Sequence, residues 1–242
     1  MNTTAKLDNK GHTRMIAHRG LSGLEPENTH AAFIAAGNRS YYGIEADVHK
    51  TADGKYVIMH DSNTLRMSGD DMEIGKATWE TLRGLRLKQK DGKRGRTDLR
   101  IPSLEEYLGI CKYYGKKAIL ELKDDFTAEE VDEICCITEQ TGHMEDTVYI
   151  SFKLNNLLLL KEKHPLQPAQ YLVESPVDEA LIRVLAERKL GVDAFHGLLT
   201  EEALKRCREL GVETNAWTVD DPEVAKKLIG WGIDYITSNI LE

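Results

Sequence analysis

Eight short apolar segments recur along the chain, and helix-like stretches separate most of them. The segments are 14–18 RMIAH, 43–48 GIEADV, 117–122 KAILEL, 147–151 TVYIS, 169–173 AQYLV, 191–195 GVDAF, 211–216 GVETNA and 233–236 IDYI. Strand and helix alternating eight times is the pattern of a closed parallel barrel, so the expected fold is α/β, a (β/α)8 TIM barrel. The intervening stretches carry helix punctuation of their own. In SLEEYLGICKYYG, Ser103 precedes Glu106 by three residues, and in TAEEVDEICCITEQTG, Thr127 precedes Glu130 in the same way. Both are capping-box spacings. DDPEVAKKLIGWG sets Pro222 near a first turn and Gly230 at an end. Leu157 to Leu160 form an apolar run that reads as a core-facing helix.

The alternation fails over 61–101. VIMHD, just before it, reads as a local partner of the second strand, and KQKDGKRGRTDLR is a charged, glycine-bearing loop. A small insertion of about these residues after strand two is expected to lie over the active-site mouth of such a barrel. With 242 residues and no break in composition, residues 1–242 read as a single domain carrying that insertion.

Composition narrows the classes. The chain is 41% hydrophobic and 30% charged, which suits a soluble globular protein. Its 32 Lys+Arg against 40 Asp+Glu give a net charge of −8, which argues against a nucleic-acid binder. An anionic substrate is still compatible, since a local cation cluster or a metal dominates a single pocket. Cys111, Cys135, Cys136 and Cys207 lack zinc-ligand spacing and read as reduced structural thiols. The polar start MNTTAKLDNKGHTR has no signal-peptide core, and no run reaches membrane-spanning length. A cytoplasmic protein with no stable membrane insertion is the default expectation; the oligomeric state is left open.

In a barrel of this kind, chemistry sits where the strands end. His18 and Arg19 close the first strand. Glu45 and Asp47 lie two apart on the second, so both face the same side, and Glu121 and Lys123 repeat that spacing on the third. Any one of these carboxylates alone would equally serve a salt bridge. Three converging on a small volume would repel unless a cation neutralised them, and oxygen donors without cysteine suit Mg²⁺ or Ca²⁺. His60 also ends an apolar run, and two imidazoles beside such a site suit general acid and base work near neutral pH. His12, His30, His49, His143, His164 and His196 fall in polar or loop contexts and receive no role. In PENT, Asn28 or Thr29 caps the following HAAFIAAG helix, Pro26 fixes the loop, and Glu27 is placed to hold Arg19. Gly20 is expected to give a tight turn beside a ligand.

The ordered set AHRG, PENTHAAF, GIEADVHKTADGKYVIMHD, IPSLEEYL, ILELK and AWTVDDPEVAKKLIGWGIDYITSN resembles the glycerophosphodiester phosphodiesterase family over about residues 14–240. The resemblance implies hydrolysis of a small-molecule glycerophosphodiester to an alcohol and glycerol 3-phosphate, with a divalent cation. It implies that His18 and His60 are the acid/base pair and that Glu45, Asp47 and Glu121 are metal ligands. Arg19 and Lys123 match cations on the phosphate side, and Trp217 matches a rim aromatic that lines the substrate groove or simply packs. It also implies first attack by the neighbouring glycerol hydroxyl, through a cyclic phosphate that water opens. Two other readings stand beside this one. The first is a lyase or phospholipase D-like activity on (lyso)phospholipids; the second is a catalytically silent barrel that only binds a phosphorylated ligand.

Overall fold

The computed structural model describes residues 3–242. Its strands are β1 (Arg14–Ala17), β2 (Gly43–Lys50), β3 (Tyr56–Ile58), β4 (Lys117–Leu122) and β5 (Thr147–Ser151). They continue as β6 (Ala169–Val173), β7 (Gly191–Phe195), β8 (Thr214–Trp217) and β9 (Tyr235–Ser238). The helices are α1 (His30–Gly37), α2 (Leu65–Ser68), α3 (Trp79–Gly84), α4 (Leu104–Tyr113) and α5 (Ala128–Gln140). After these come α6 (Leu154–Lys163), α7 (Glu179–Glu187), α8 (Glu201–Glu209) and α9 (Pro222–Gly230). Eight strands pair in parallel in the order β1-β9-β8-β7-β6-β5-β4-β2, and β1 pairs with β2 to close the ring. This is a closed (β/α)8 barrel. The short β3 lies outside it, antiparallel to the end of β2, so the VIMHD segment does pair locally.

The capping boxes expected at Ser103 and Thr127 are both formed, and Asp221 caps α9 with Pro222 in its first turn. Two strand boundaries differ from the sequence reading for one shared reason. Gly211 (φ +71°) and Gly232 (φ +79°) end their helices in the left-handed region. The next amide then bonds back five residues, Val212 to Cys207 and Ile233 to Leu228. That helix-ending motif consumes the residues after each glycine, so β8 begins at Thr214 and β9 at Tyr235. The apolar residues there are helix-exit contacts, not strand.

Ile16, Ile119, Ile150 and Leu172 pack together inside the ring, and the larger apolar cluster lies between the strands and the outer helices. Residues 61–101 run between β3 and α4 on a smaller cluster of their own, in which Met67, Ile74, Leu82, Leu87, Leu99 and Ile101 pack with Val57 and Met59. This segment leans on the β1–α1 loop through an Arg96–Glu25 pair at 2.6 Å and a Lys90 Nζ bond to the Ser22 carbonyl at 2.5 Å. Gly20 does make the expected tight turn, at φ +74°, and packing adds a second demand. A Cβ there would lie 2.7 Å from the Ala32 carbonyl carbon, so the left-handed backbone and close packing on α1 both demand glycine. Cys111, Cys135, Cys136 and Cys207 are all free thiols. Among the described residues, no helix is long and apolar enough to cross a membrane.

Candidate active site

Strand register assembles the acidic group. Asp47 on β2 stands beside Glu121 on β4, and Glu45 lies two residues earlier on the same face. Each of these three buried carboxylates offers an oxygen within 4.8 Å of the others. Burial pushes the Glu45 carboxyl well above its ordinary range, with the neighbouring Asp47 charge acting the same way. Burial and then Asp47 push Glu121 up to about 8. Burial opposes ionisation of Asp47 too, but Lys123, Arg19 and His60 outweigh it and hold Asp47 below its ordinary range. Without added positive charge, then, the volume carries one stable carboxylate and two that favour their protons. Asp47 Oδ1 is buried and has no hydrogen bond, its nearest cation being Lys123 Nζ at 3.4 Å. An orphaned carboxylate oxygen in an all-oxygen donor set fits a hard divalent cation.

The cations surround this group. Lys123 Nζ lies 2.9 Å from Glu121. Arg19 sits in the left-handed region at φ +53°, a strained setting for a residue with a side chain, and its amide donates to Glu45 at 2.7 Å. Its Nη1 bonds Glu27 at 2.9 Å, whereas its buried Nε makes no hydrogen bond. Glu27 thus holds Arg19, as its position in PENT suggested. Within that tetrapeptide the cap is Thr29, which accepts from the Ala32 amide at 3.2 Å. Asn28 instead turns through φ +54° and donates to Asp47 at 2.7 Å.

The two imidazoles are anchored differently. His18 Nδ1 lies 2.8 Å from Asn239 Oδ1, and the Asn239 amide nitrogen bonds Asp220 at 2.6 Å. Since that carboxylate only accepts, the amide can face only one way, and His18 must donate from Nδ1. Its Nε2 lone pair is therefore free. Burial, helped by the adjacent Arg19 charge, pushes His18 down to about 4, so the ring is neutral at pH 7. His60 Nδ1 bonds Asp61 at 2.7 Å. Burial lowers His60 as well, but Asp47 and Asp61 favour its protonated form. From the 61–101 segment, Arg66 Nε bonds Asp61 at 2.7 Å and its Nη2 bonds Glu27 at 2.7 Å. A continuous chain of charge-assisted contacts therefore runs from His60 through Asp61, Arg66 and Glu27 to Arg19.

A cavity of about 120 Å³ opens between these groups. His18, Arg19, Glu45, His60, Glu121 and Lys123 line one side of it, with Trp217 and Asp193 on the other. Asp47 does not line it and is fully buried against Lys123 and Arg19. All eight residues singled out in the sequence are thus brought to one mouth of the barrel. Trp217 both lines the cavity and packs, its indole N–H donating to the Asp193 carbonyl at 3.1 Å. Sequence reasoning offered Asn28 only as a possible cap and passed over Asp61, Arg66, Asp220 and Asn239. Asn239 had a signal, since it follows the last strand directly as His18 follows the first; Arg66 had none. His49 needs correction. It is buried on β2, bonds Asp124 at 2.8 Å and lies 3.2 Å from the His60 carbonyl, so it braces the backbone of the His60 turn.

Asp193 gives a test of the electrostatics. Its Oδ1 is buried without a partner, and burial pushes the carboxyl up to about 8. The folded state keeps a proton that the unfolded chain releases, so the cost to stability grows as pH rises from the ordinary carboxylate range through about 8. Asp193→Asn is therefore expected to leave the melting temperature nearly unchanged at pH 4 and to raise it by about 2–4 °C or more at pH 8.5. Calorimetry at the two pH values checks this, and an equal shift at both contradicts it.

The comparisons with known proteins agree with this geometry. A family model described as the Glycerophosphoryl diester phosphodiesterase family matches residues 18–241. A glycerophosphodiester phosphodiesterase of Caldanaerobacter subterraneus is 29% identical over 232 residues, covering 94% of each chain. Among solved structures, an Oleispira antarctica phosphodiesterase in complex with the product sn-glycerol-3-phosphate superposes with a TM-score of 0.86 at 27% identity, covering 94% of this chain and 93% of that one. A Parabacteroides distasonis glycerophosphodiester phosphodiesterase gives 0.77 at 29% identity, covering 96% and 94%. With the family match spanning nearly the whole chain, and the paired histidines and the carboxylate group gathered at one barrel mouth, this chain belongs to the glycerophosphoryl diester phosphodiesterase family.

Proposed function

We propose that this cavity hydrolyses glycerophosphodiesters to an alcohol and glycerol 3-phosphate, with Glu45, Asp47 and Glu121 holding a Mg²⁺ or Ca²⁺ ion. The observation that carries the reading is the carboxylate group set beside two imidazoles whose Nδ1 atoms are tied back, leaving each Nε2 as the free ring nitrogen. The activity named for the relatives supports it. When bound, the divalent ion supplies a concentrated positive charge that polarises the phosphoryl group. Arg19 and Lys123 add fixed positive charge on the same side, where negative charge grows as the nucleophile approaches phosphorus. Arg19 brings a planar guanidinium anchored to Glu27, and Lys123 acts as a point charge.

His18 is the general base in this scheme. It is neutral at pH 7, and its free Nε2 takes the proton from the attacking oxygen, either the adjacent glycerol hydroxyl or water. His60 is the general acid. Asp61 orients it, and although burial lowers His60 overall, Asp47 and Asp61 partly offset that and support the imidazolium form that gives a proton to the departing alkoxide. Incubation of the protein and Mg²⁺ or Ca²⁺ with glycerophosphodiesters of different head groups should yield free alcohol and glycerol 3-phosphate in equal amounts, read by phosphorus NMR. Accumulation of a cyclic phosphate as the end product would move the chain to the lyase class, and an unchanged spectrum with every diester would overturn the hydrolase reading.

A further inference from the structure

The rim of the barrel divides into two chemically distinct halves. β1, β2, β4 and the turn after β3 supply the histidines, carboxylates and cations. The next four strands end otherwise: Phe152 follows β5, Glu174 follows β6, Phe195 ends β7 and Trp217 ends β8. Phe152 and Phe195 remain 37% and 41% exposed, which is unusual for large apolar side chains at a polar cavity. Each meets the indole edge-to-face, with ring centroids 5.6 and 5.9 Å from that of Trp217. The Trp217 ring is fixed by its bond to the Asp193 carbonyl. Glu174 and the unpartnered, buried Asp193 line the same side of the cavity. The two cationic residues lining the cavity, Arg19 and Lys123, both lie in the other half.

Aromatic faces beside the Glu174 carboxylate, with no competing cation lining that side, form the environment that recognises an ammonium group. If the phosphate occupies the charged half, the departing alcohol extends across the cavity into this one. Resting on the hydrolase reading above, we propose that the far half of the rim is a subsite for a cationic leaving alcohol, with an ammonium seated against Trp217 and Phe152 and Glu174 as its counter-charge. A bulky quaternary ammonium, weakly hydrated, gains most from such a site, whereas a neutral polyol gains least. The subsite thus sets head-group preference and takes no part in the bond-breaking step.

The test compares glycerophosphocholine with its uncharged isostere, the 3,3-dimethylbutyl ester, which differs only by carbon in place of nitrogen. For the wild-type protein, kcat/KM is expected to favour the choline ester by about tenfold or more. In Glu174→Gln that ratio should fall several-fold toward one; because two substrates are compared in each protein, any general loss of activity cancels. Turnover of both esters at equal kcat/KM, or a ratio unchanged in Glu174→Gln, overturns the subsite while leaving the hydrolase reading intact. Turnover of neither overturns the hydrolase reading, and calorimetric titration with the two esters then decides the subsite alone. Tighter binding of the choline ester supports it, and equal affinity overturns it.

Discussion

Replacing His18 with alanine is expected to lower glycerophosphodiester turnover by at least ~10²-fold, and His60→Ala by a similar factor, if each ring performs a proton transfer. The two variants should nevertheless fail in different ways. His18 is the neutral ring, fixed by Asn239 with Nε2 free, so its loss removes the group that takes the proton in the first step. His60 delivers a proton to the leaving oxygen, so its loss should matter less as the leaving alcohol becomes more acidic. A substrate with a nitrophenyl leaving group in place of the natural alcohol separates the roles. It should recover much of the activity of His60→Ala and little of that of His18→Ala. Near-normal turnover of the natural diester in either variant would remove that histidine from the scheme.

Removal of divalent ions should have an effect at least as large. Incubation with EDTA is expected to abolish turnover, and addition of excess Mg²⁺ or Ca²⁺ to restore it. The carboxylate group explains why: burial drives Glu45 and Glu121 toward their protonated forms, and only an added positive charge favours all three carboxylates ionised together. Ion binding should therefore release protons and raise the melting temperature, and both effects are measurable without turnover. Conversion of Asp47 to Asn, which keeps the shape and removes the charge best held in this cluster, should weaken both. Activity indifferent to chelator would dismiss the metal reading.

The barrel was legible because its signal is periodic. Each buried strand announced itself as a short apolar run, and the capping boxes at Ser103 and Thr127 marked two helices to the residue. Strand starts failed where apolar residues serve a helix exit, as at Val212 and Ile233, and β2 and β9 each run two residues beyond their expected ends; local composition does not distinguish a residue that closes a turn from one that opens a strand. The charged residues at the ends of β1, β2 and β4 were legible for a related reason, since position at a strand end predicts convergence. Their supports were not. Asn28, Asp61, Arg66, Asp220 and Asn239 act on neighbours brought close by tertiary structure, and their types are ordinary for loops. His49 shows the converse. Its polar context gave it no role, whereas the β2–β3 pairing and Asp124 set it as a buried brace.

The linkage through Arg66 means that the barrel does not steady its reactive groups unaided. His18 hangs from Asn239, just after the chain's last strand, and takes no direct hydrogen bond from residues 61–101. His60 and Arg19 hang on a shared strut whose middle piece belongs to that segment, packed on a small apolar cluster of its own. Loosening that cluster would slacken an imidazole and a guanidinium together and reach the other imidazole only through Lys90, Ser22 and Asn239, so damage far from phosphorus would fall first on one side of the proton relay.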